Sequence, residues 1–269
     1  MKQINDLDKY LSLMRNGMND KLFFTDKLFL EWNTFLDFGC ADGFLTKKIK
    51  SIFPNKEIYG YDEDTLLNTK WSESFTNVHF TNDLESLPER IDVIFLSSVL
   101  HEVYSYKSLD EINEFWQKIF SLSPKYIIIR DMAYDEELFL LKEKNIYDKL
   151  QMNIFGKTYR YLQDKNKIVQ LKNHQEIFGK GYKSLVHFLL KIMYVDSINF
   201  DNELKEDFFA CSLQEIRKRT HSRFNEVYFE NYNLPYLTHF WKENLDIDLI
   251  EKTHSKLILI NKNHKKESL

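Results

Sequence analysis

Residues 34–45 read TFLDFGCADGFL, an apolar run with one acid in it, then glycine, alanine and glycine at alternate positions. The run Thr34–Phe38 has the length and apolar character of a buried β-strand, and the apolar spacing of Phe44–Phe53 predicts a helix directly behind it. The turn between them, carrying Gly39, Ala41 and Gly43, presents a backbone that a ligand can approach closely, because any branched side chain there would collide with the ligand or with the packed helix. Glycine is otherwise scarce: the 269 residues hold only 7, with 4 prolines. Gly39, Gly43 and Gly60 therefore mark backbone requirements rather than filler. Gly17, Gly156, Gly179 and Gly181 are assigned to helix boundaries.

Working outward, strand candidates recur at Glu57–Tyr61, Val78–Thr81, Asp92–Ser97 and Tyr126–Arg130, with helical segments at Thr65–Ser74 and Leu109–Ser121 between them. Strands alternating with helices predict a parallel sheet with right-handed crossovers. The IDVIFL and YIIIR runs are apolar throughout, as strands buried on both faces are. Upstream, Leu7, Tyr10, Leu11 and Met14, then Leu22, Phe23, Leu28 and Leu30, fit two short helices. After Ala133 the alternation stops, and charged helical patterns occupy a stretch too long for an ordinary connection. Strand patterns return at FNEVYFENY and SKLILIN, separated by a helical stretch, Tyr236–Glu243. The chain is thus divided into N-terminal helices (1–33), an α/β domain (34–132 and 205–269) and a helical cap inserted between the fifth and sixth strands (133–204).

Bulk composition narrows the function. Lys and Arg total 37 against 41 Asp and Glu, a net charge of -4, so no global basic field points to nucleic acid. Cys40 and Cys211 lie far apart without metal-site spacing. The polar start MKQINDLDKY has no apolar core of a signal peptide, and no apolar stretch is long enough to span a bilayer, which reads as a cytoplasmic chain with no membrane partner.

The acids at the strand ends carry the chemistry. Asp62, closing the second strand in YGYDED, stands where a carboxylate accepts both hydroxyls of an adenosine ribose; capping the helix that starts at Thr65 is its alternative role. Asp83, closing the third strand, is placed to meet an adenine amino group, and Asn82-Asp83 is also good turn chemistry. His101 and Glu102 follow the fourth strand and face the carboxyl-end crevice. There His101 serves as a general base or simply lines the pocket. Arg130 and Asp131, ending the fifth strand, either position substrate or form an ion pair there.

With these elements in order, the chain resembles the class I S-adenosylmethionine-dependent methyltransferases. DFGCADG is similar to their first motif, with alanine for the middle glycine; YDED matches the acidic second motif and NDL the acid after the third strand. SSVLHEV resembles the segment after the fourth strand in many small-molecule members. The resemblance covers roughly Thr34–Asp131. It implies a Rossmann-like seven-stranded sheet, mostly parallel with an antiparallel last strand, and S-adenosyl-L-methionine as cofactor, leaving as S-adenosyl-L-homocysteine. The donor-binding set it implies is Asp37, Gly39, Cys40, Ala41, Gly43, Asp62, Glu63, Asp83, Leu84, Ser97 and Ser98. The catalytic candidates are His101, Glu102 and Arg130, with no metal.

The acceptor is read as the oxygen, nitrogen or carbon of a small molecule. One alternative is an RNA methyltransferase using the basic stretch Arg217, Lys218, Arg219, His221 and Arg223; another is a non-catalytic interaction module. SSVL stands where the family's adenine-N6 and cytosine-N4 enzymes carry Asn/Asp-Pro-Pro-Tyr/Phe. The lysine–aspartate–lysine–glutamate set of the ribose 2′-O enzymes is also unmet, and the acids that metal-dependent members cluster near these strands are few.

Overall fold

In the computed structural model, seven strands join in one sheet of order β3-β2-β1-β4-β5-β7-β6. They are β1 (Thr34–Phe38), β2 (Glu57–Tyr61), β3 (Val78–Thr81), β4 (Val93–Ser97), β5 (Tyr126–Asp131), β6 (Phe224–Tyr232) and β7 (His254–Asn261). β1 to β5 pair in parallel, and β7 lies antiparallel between β5 and β6. The structure describes residues 17–65, 71, 78–140, 144–196 and 200–263. The expected helix across Thr65–Ser74, apart from Thr65 and Trp71, and the N-terminal positions Leu7, Tyr10, Leu11 and Met14 lie outside these residues.

The pleat sorts the core. Successive side chains of a strand point to opposite faces, so Phe35, Val93, Phe95, Tyr126, Ile128, Ile258 and Ile260 build one apolar layer while Leu36, Phe38, Ile94, Leu96, Ile127, Ile129, Leu257 and Leu259 build the other. Every residue of β4 and β5 is buried, which is why these strands read as unbroken apolar runs. Helices Phe44–Ile52 and Leu109–Ser121 cover opposite faces with Ile49 and with Ile112, Phe115, Trp116 and Ile119. The latter starts with a capping box in which Ser108 and Glu111 satisfy each other's backbone N–H groups.

A third apolar cluster is built by the helical stretch between β5 and β6, whose main helices are Lys144–Asp164, Ile168–Phe178 and Tyr182–Lys191. Leu237, Trp241 and Leu245 of helix Pro235–Leu245, between β6 and β7, join that same cluster. Trp241 Nε1 donates to the Leu189 carbonyl at 2.9 Å, fastening this helix to the insertion.

Three local expectations differ from the structure. Residues 22–27 are turns after the short helix Met18–Lys21, because Phe24 is drawn into the sheet layer, stacked on Phe35 at 5.5 Å. Gly156 sits inside helix Lys144–Asp164 with nothing within 4 Å of where a Cβ would lie, so it is an interior residue and no boundary. Asp92 precedes β4, its carboxylate accepting the N–H groups of Asn33 and Thr34 and so tying the start of β1 to β4.

Candidate active site

The order of strands reverses between β1 and β4, and a crevice opens at their carboxyl ends, where ligands bind in open α/β sheets. Two turns meet there. In the first, Gly39 and Gly43 have φ of +75° and +72°, the left-handed region. A Cβ on Gly39 would lie 2.6 Å from Val99 Cγ2, and one on Gly43 would lie 2.4 Å from the Phe80 ring. Glycine is required twice over, by torsion and by space. Ala41, also left-handed at +48°, accepts a bond from Trp71 Nε1 at 2.8 Å through its carbonyl, and Trp71 stacks on Phe80. The second turn follows β4: Ser98 has φ +60°, and its N–H donates to the Arg130 carbonyl at 2.8 Å.

Asp62 reaches across from β2 to the first turn, accepting the Ala41 N–H at 2.8 Å on one oxygen and the Asp64 N–H at 3.0 Å on the other. Burial raises its pKa. Asp37, almost fully buried, accepts the Thr46 hydroxyl at 2.6 Å and is pushed up to about 6 by burial, against the pull of that bond and of the Lys21 charge. Cys40 is buried within the turn, and its thiol is pushed up by burial. At the rim, Asp83 caps the turn Leu84–Ser86 by accepting the Glu85 N–H, and Glu63 pairs with Lys107 at 3.2 Å. Ser97 is buried at the end of β4, its hydroxyl without a partner among the described residues.

Beyond Ser98, helix Leu100–Tyr106 carries His101 into the crevice. Asp131 fixes the helix start by accepting the N–H groups of Val99 and Leu100 on one oxygen, at 2.9 and 2.7 Å, and contacts His101 Nδ1 at 2.6 Å with the other. On the far side of the ring, His101 Nε2 lies 3.4 Å from Glu206 Oε1. Burial disfavours a charged imidazole, but the carboxylates of Asp131 and Glu206 outweigh it and hold His101 well above its ordinary pKa, while the Asp131 carboxyl stays low. The three side chains thus lie in a row, with a carboxyl group on each side of the imidazole favouring its proton. Ligand atoms of His101, Glu102 and Glu206 lie within 4.8 Å of one another, so these are the residues that would hold a metal ion if one bound.

Arg130 and Asp131 do not pair with each other, because adjacent strand residues face opposite sides of the sheet. Arg130 instead donates to Asp20 Oδ2 at 3.0 Å and to the Ser98 hydroxyl at 2.9 Å. Asp20 also receives the Tyr232 hydroxyl and Lys256. Arg130, Ser98, His101 and Glu102 line one cavity, closed by Leu190, Tyr194 and Phe208 from the insertion and its flank and by Tyr236 and Leu237 from helix Pro235–Leu245.

No protein-family model matches the chain, and no curated protein matches it. Solved structures do. The plantazolicin methyltransferase BpumL in complex with SAH is 12% identical, with a TM-score of 0.54 over 96% of this chain and 91% of that one. The plantazolicin methyltransferase BamL, in complex with a triazolic desmethylPZN analogue and SAH, is 13% identical, with a TM-score of 0.52 over 95% and 88%. This chain has the class I methyltransferase fold. At such identity the likeness is one of fold.

The fold sets Asp37, Gly39, Cys40, Ala41 and Gly43 at the end of β1, Asp62 and Glu63 after β2, Asp83 and Leu84 after β3, and Ser97, Ser98, His101 and Glu102 at the end of β4 and just beyond it; of these, Ser98, His101 and Glu102 line the cavity with Arg130. It leaves the basic stretch elsewhere: Arg217 is bound to Glu226 through two hydrogen bonds, Arg219 to Glu215, and Arg223 lies over the Phe120 ring. Among the polar lining residues, Lys21, Glu203, Glu206, Tyr236 and His254 escape the sequence reading. None sits at a strand end of the parallel half, so no motif spacing marks them; Glu206, in the charged run Lys205-Glu206-Asp207, reads as solvated surface.

Proposed function

We propose that this protein is an S-adenosyl-L-methionine-dependent methyltransferase acting on a small-molecule acceptor. The observation that carries the reading is the cradle at the switch point. Gly39 and Gly43 hold a turn with no room for side chains, and Asp62 locks that turn while using only two of its roughly four acceptor sites. The residues fit an adenosyl amino acid. Asp62, with Glu63, would accept the ribose hydroxyls; Asp83 and Leu84 would border the adenine; Asp37 would favour the amino group; Cys40, Ala41, Ser97 and Ser98 would form the walls. When bound, this donor supplies a methyl group on a cationic sulfur, open to in-line displacement.

The chain's own residues then have two tasks. Positioning is the first, because holding nucleophile and methyl group collinear in a dry pocket removes much of the barrier. The cap, proposed as residues 133–204 over the donor domain, closes this pocket with apolar side chains. Proton handling is the second. An acceptor oxygen or nitrogen that gains a methyl group loses its proton; with His101 already holding one, the carboxylate of Glu206, which lines the cavity on the far side of the ring, is the group that can take it. A base positioned in this way contributes roughly 10²–10⁴-fold. Glu102 borders the same space, and Arg130, spent on Asp20 and Ser98, shapes the wall. The ion pairs of Arg217 and Arg219 support a small acceptor over RNA.

Calorimetry with S-adenosylhomocysteine, followed by transfer of a tritiated methyl group into fractionated metabolites, RNA and protein, tests the reading. Binding with label in the small-molecule fraction is expected. Absence of binding by both donor and product at millimolar concentration rejects it.

A further inference from the structure

Lys21 is an anomaly in the cavity wall. It ends the short helix Met18–Lys21, is only 7% exposed and lines the cavity beside Arg130. A buried ammonium is costly unless paired and hydrogen-bonded. The other buried lysines have such partners: Lys256 pairs with Asp20 and Glu230, and Lys191 donates to the Leu204 and Glu206 carbonyls. Among the described residues, no hydrogen bond or ion pair reaches Lys21 Nζ. Its neighbour Asp20 is taken by Arg130, Lys256 and Tyr232, and Asp37 accepts from Thr46. Burial, reinforced by the Arg130 charge, pushes Lys21 down to about 8 even though Asp37, Asp42 and Asp20 favour its charge.

We propose that Lys21 is a receptor for a carboxylate that enters this cavity, supplied by either the amino-acid end of the donor or an acid group on the acceptor. The inference rests on the methyltransferase reading and deepens it. A single anion fits better than a phosphate dianion, because Glu203 and Glu206 face the same cavity and repel a second negative charge. The rest of the wall, with Leu190, Tyr194, Phe208 and Tyr236, suits an apolar or aromatic body. On the acceptor side the substrate class is therefore an apolar or aromatic molecule with one acid group.

Two binding arms separate the sources, each run on wild type, Lys21→Met and the conservative Lys21→Arg. One compares S-adenosylhomocysteine with its decarboxylated analogue. The other, at saturating S-adenosylhomocysteine, compares para-hydroxybenzoate with para-hydroxybenzamide and tyramine. A charge-assisted hydrogen bond of ordinary strength predicts a carboxylate preference of about tenfold or more in at least one arm. Lys21→Met should abolish it without weakening the carboxylate-free partner, and Lys21→Arg should retain part of it. The ligand-free Lys21→Met protein should also melt higher, having lost an unpaired buried charge.

No preference in either arm for wild type, a preference that survives Lys21→Met, or a Lys21→Met protein that melts below wild type would each overturn the proposal. A wild type that binds neither member of the first pair instead strikes at the methyltransferase reading. That outcome is distinct from binding both members equally.

Discussion

Replacing Asp37 by asparagine should stabilise the ligand-free protein while weakening its hold on the donor. Asp37 sits almost wholly buried in β1, and burial lifts its pKa from 3.8 to about 6. The folded chain therefore binds this proton more tightly than the open chain does. Stability from this group is present at low pH, falls as pH rises from about 4 to about 6, and is flat above. At 1.36 kcal/mol per tenfold, ionising Asp37 costs the fold about 3 kcal/mol near neutrality. Asparagine keeps an acceptor for the Thr46 hydroxyl and has no charge to bury. It also removes an anion that favours charged Lys21, so the expected net gain is about 1–3 kcal/mol. Urea unfolding of wild type and Asp37→Asn at pH 8 and pH 4.5 measures this. The variant should lead at pH 8 and lose most of its lead at pH 4.5, and its affinity for S-adenosylhomocysteine should drop. A variant no more stable than wild type at pH 8, or a gain equal at both pH values, refutes the argument.

Gly43→Ala should destabilise the protein by about 1–3 kcal/mol, the usual cost of forcing a residue into strained backbone, with the Phe80 ring adding to it; a thermal melt unchanged from wild type would contradict this. Glu206→Gln should lower kcat by roughly 10²–10⁴-fold with donor affinity kept, and a full rate constant in the variant would remove Glu206 from the proton path. Since Asp131 and Glu206 hold the imidazole proton, the charge pairing at His101 is fully present below its open-chain value near 6.5 and is lost only as pH climbs through its raised folded value. His101→Gln should accordingly flatten the alkaline side of the unfolding profile, as urea midpoints across that range would show. Asp62→Ala should weaken donor binding about tenfold or more, since it removes both the proposed ribose acceptor and the lock on Ala41. Unaltered calorimetric affinity would reassign Asp62 to a structural role.

Much of the parallel half was legible because its constraints are local. Strands buried on both faces must be apolar along their length, so β4 and β5 announce themselves. The Gly39–Gly43 turn needs residues without side-chain bulk, which leaves a readable mark in a glycine-poor chain. Asp62 stood out for the same reason, as an acid at a strand end, yet its bond to the Ala41 N–H, as opposed to a cap on the next helix, depends on how two strands lie side by side. Arg130 and Asp131 show the limit most clearly. As sequence neighbours they invited an ion pair. The pleat sends them to opposite faces, one to Asp20 and the other to His101.

The sequence by itself determined the succession of strands and helices in the parallel half, the glycine turn and the acids that close the strands, because each is dictated by a periodicity or a steric demand within a few residues. Only the tertiary structure decided the chemistry at the back of the crevice. Glu206 reaches His101, and Lys21 reaches the cavity beside Arg130, from segments distant in the chain. Buried charge is settled by what surrounds it in space, and no local pattern encodes that.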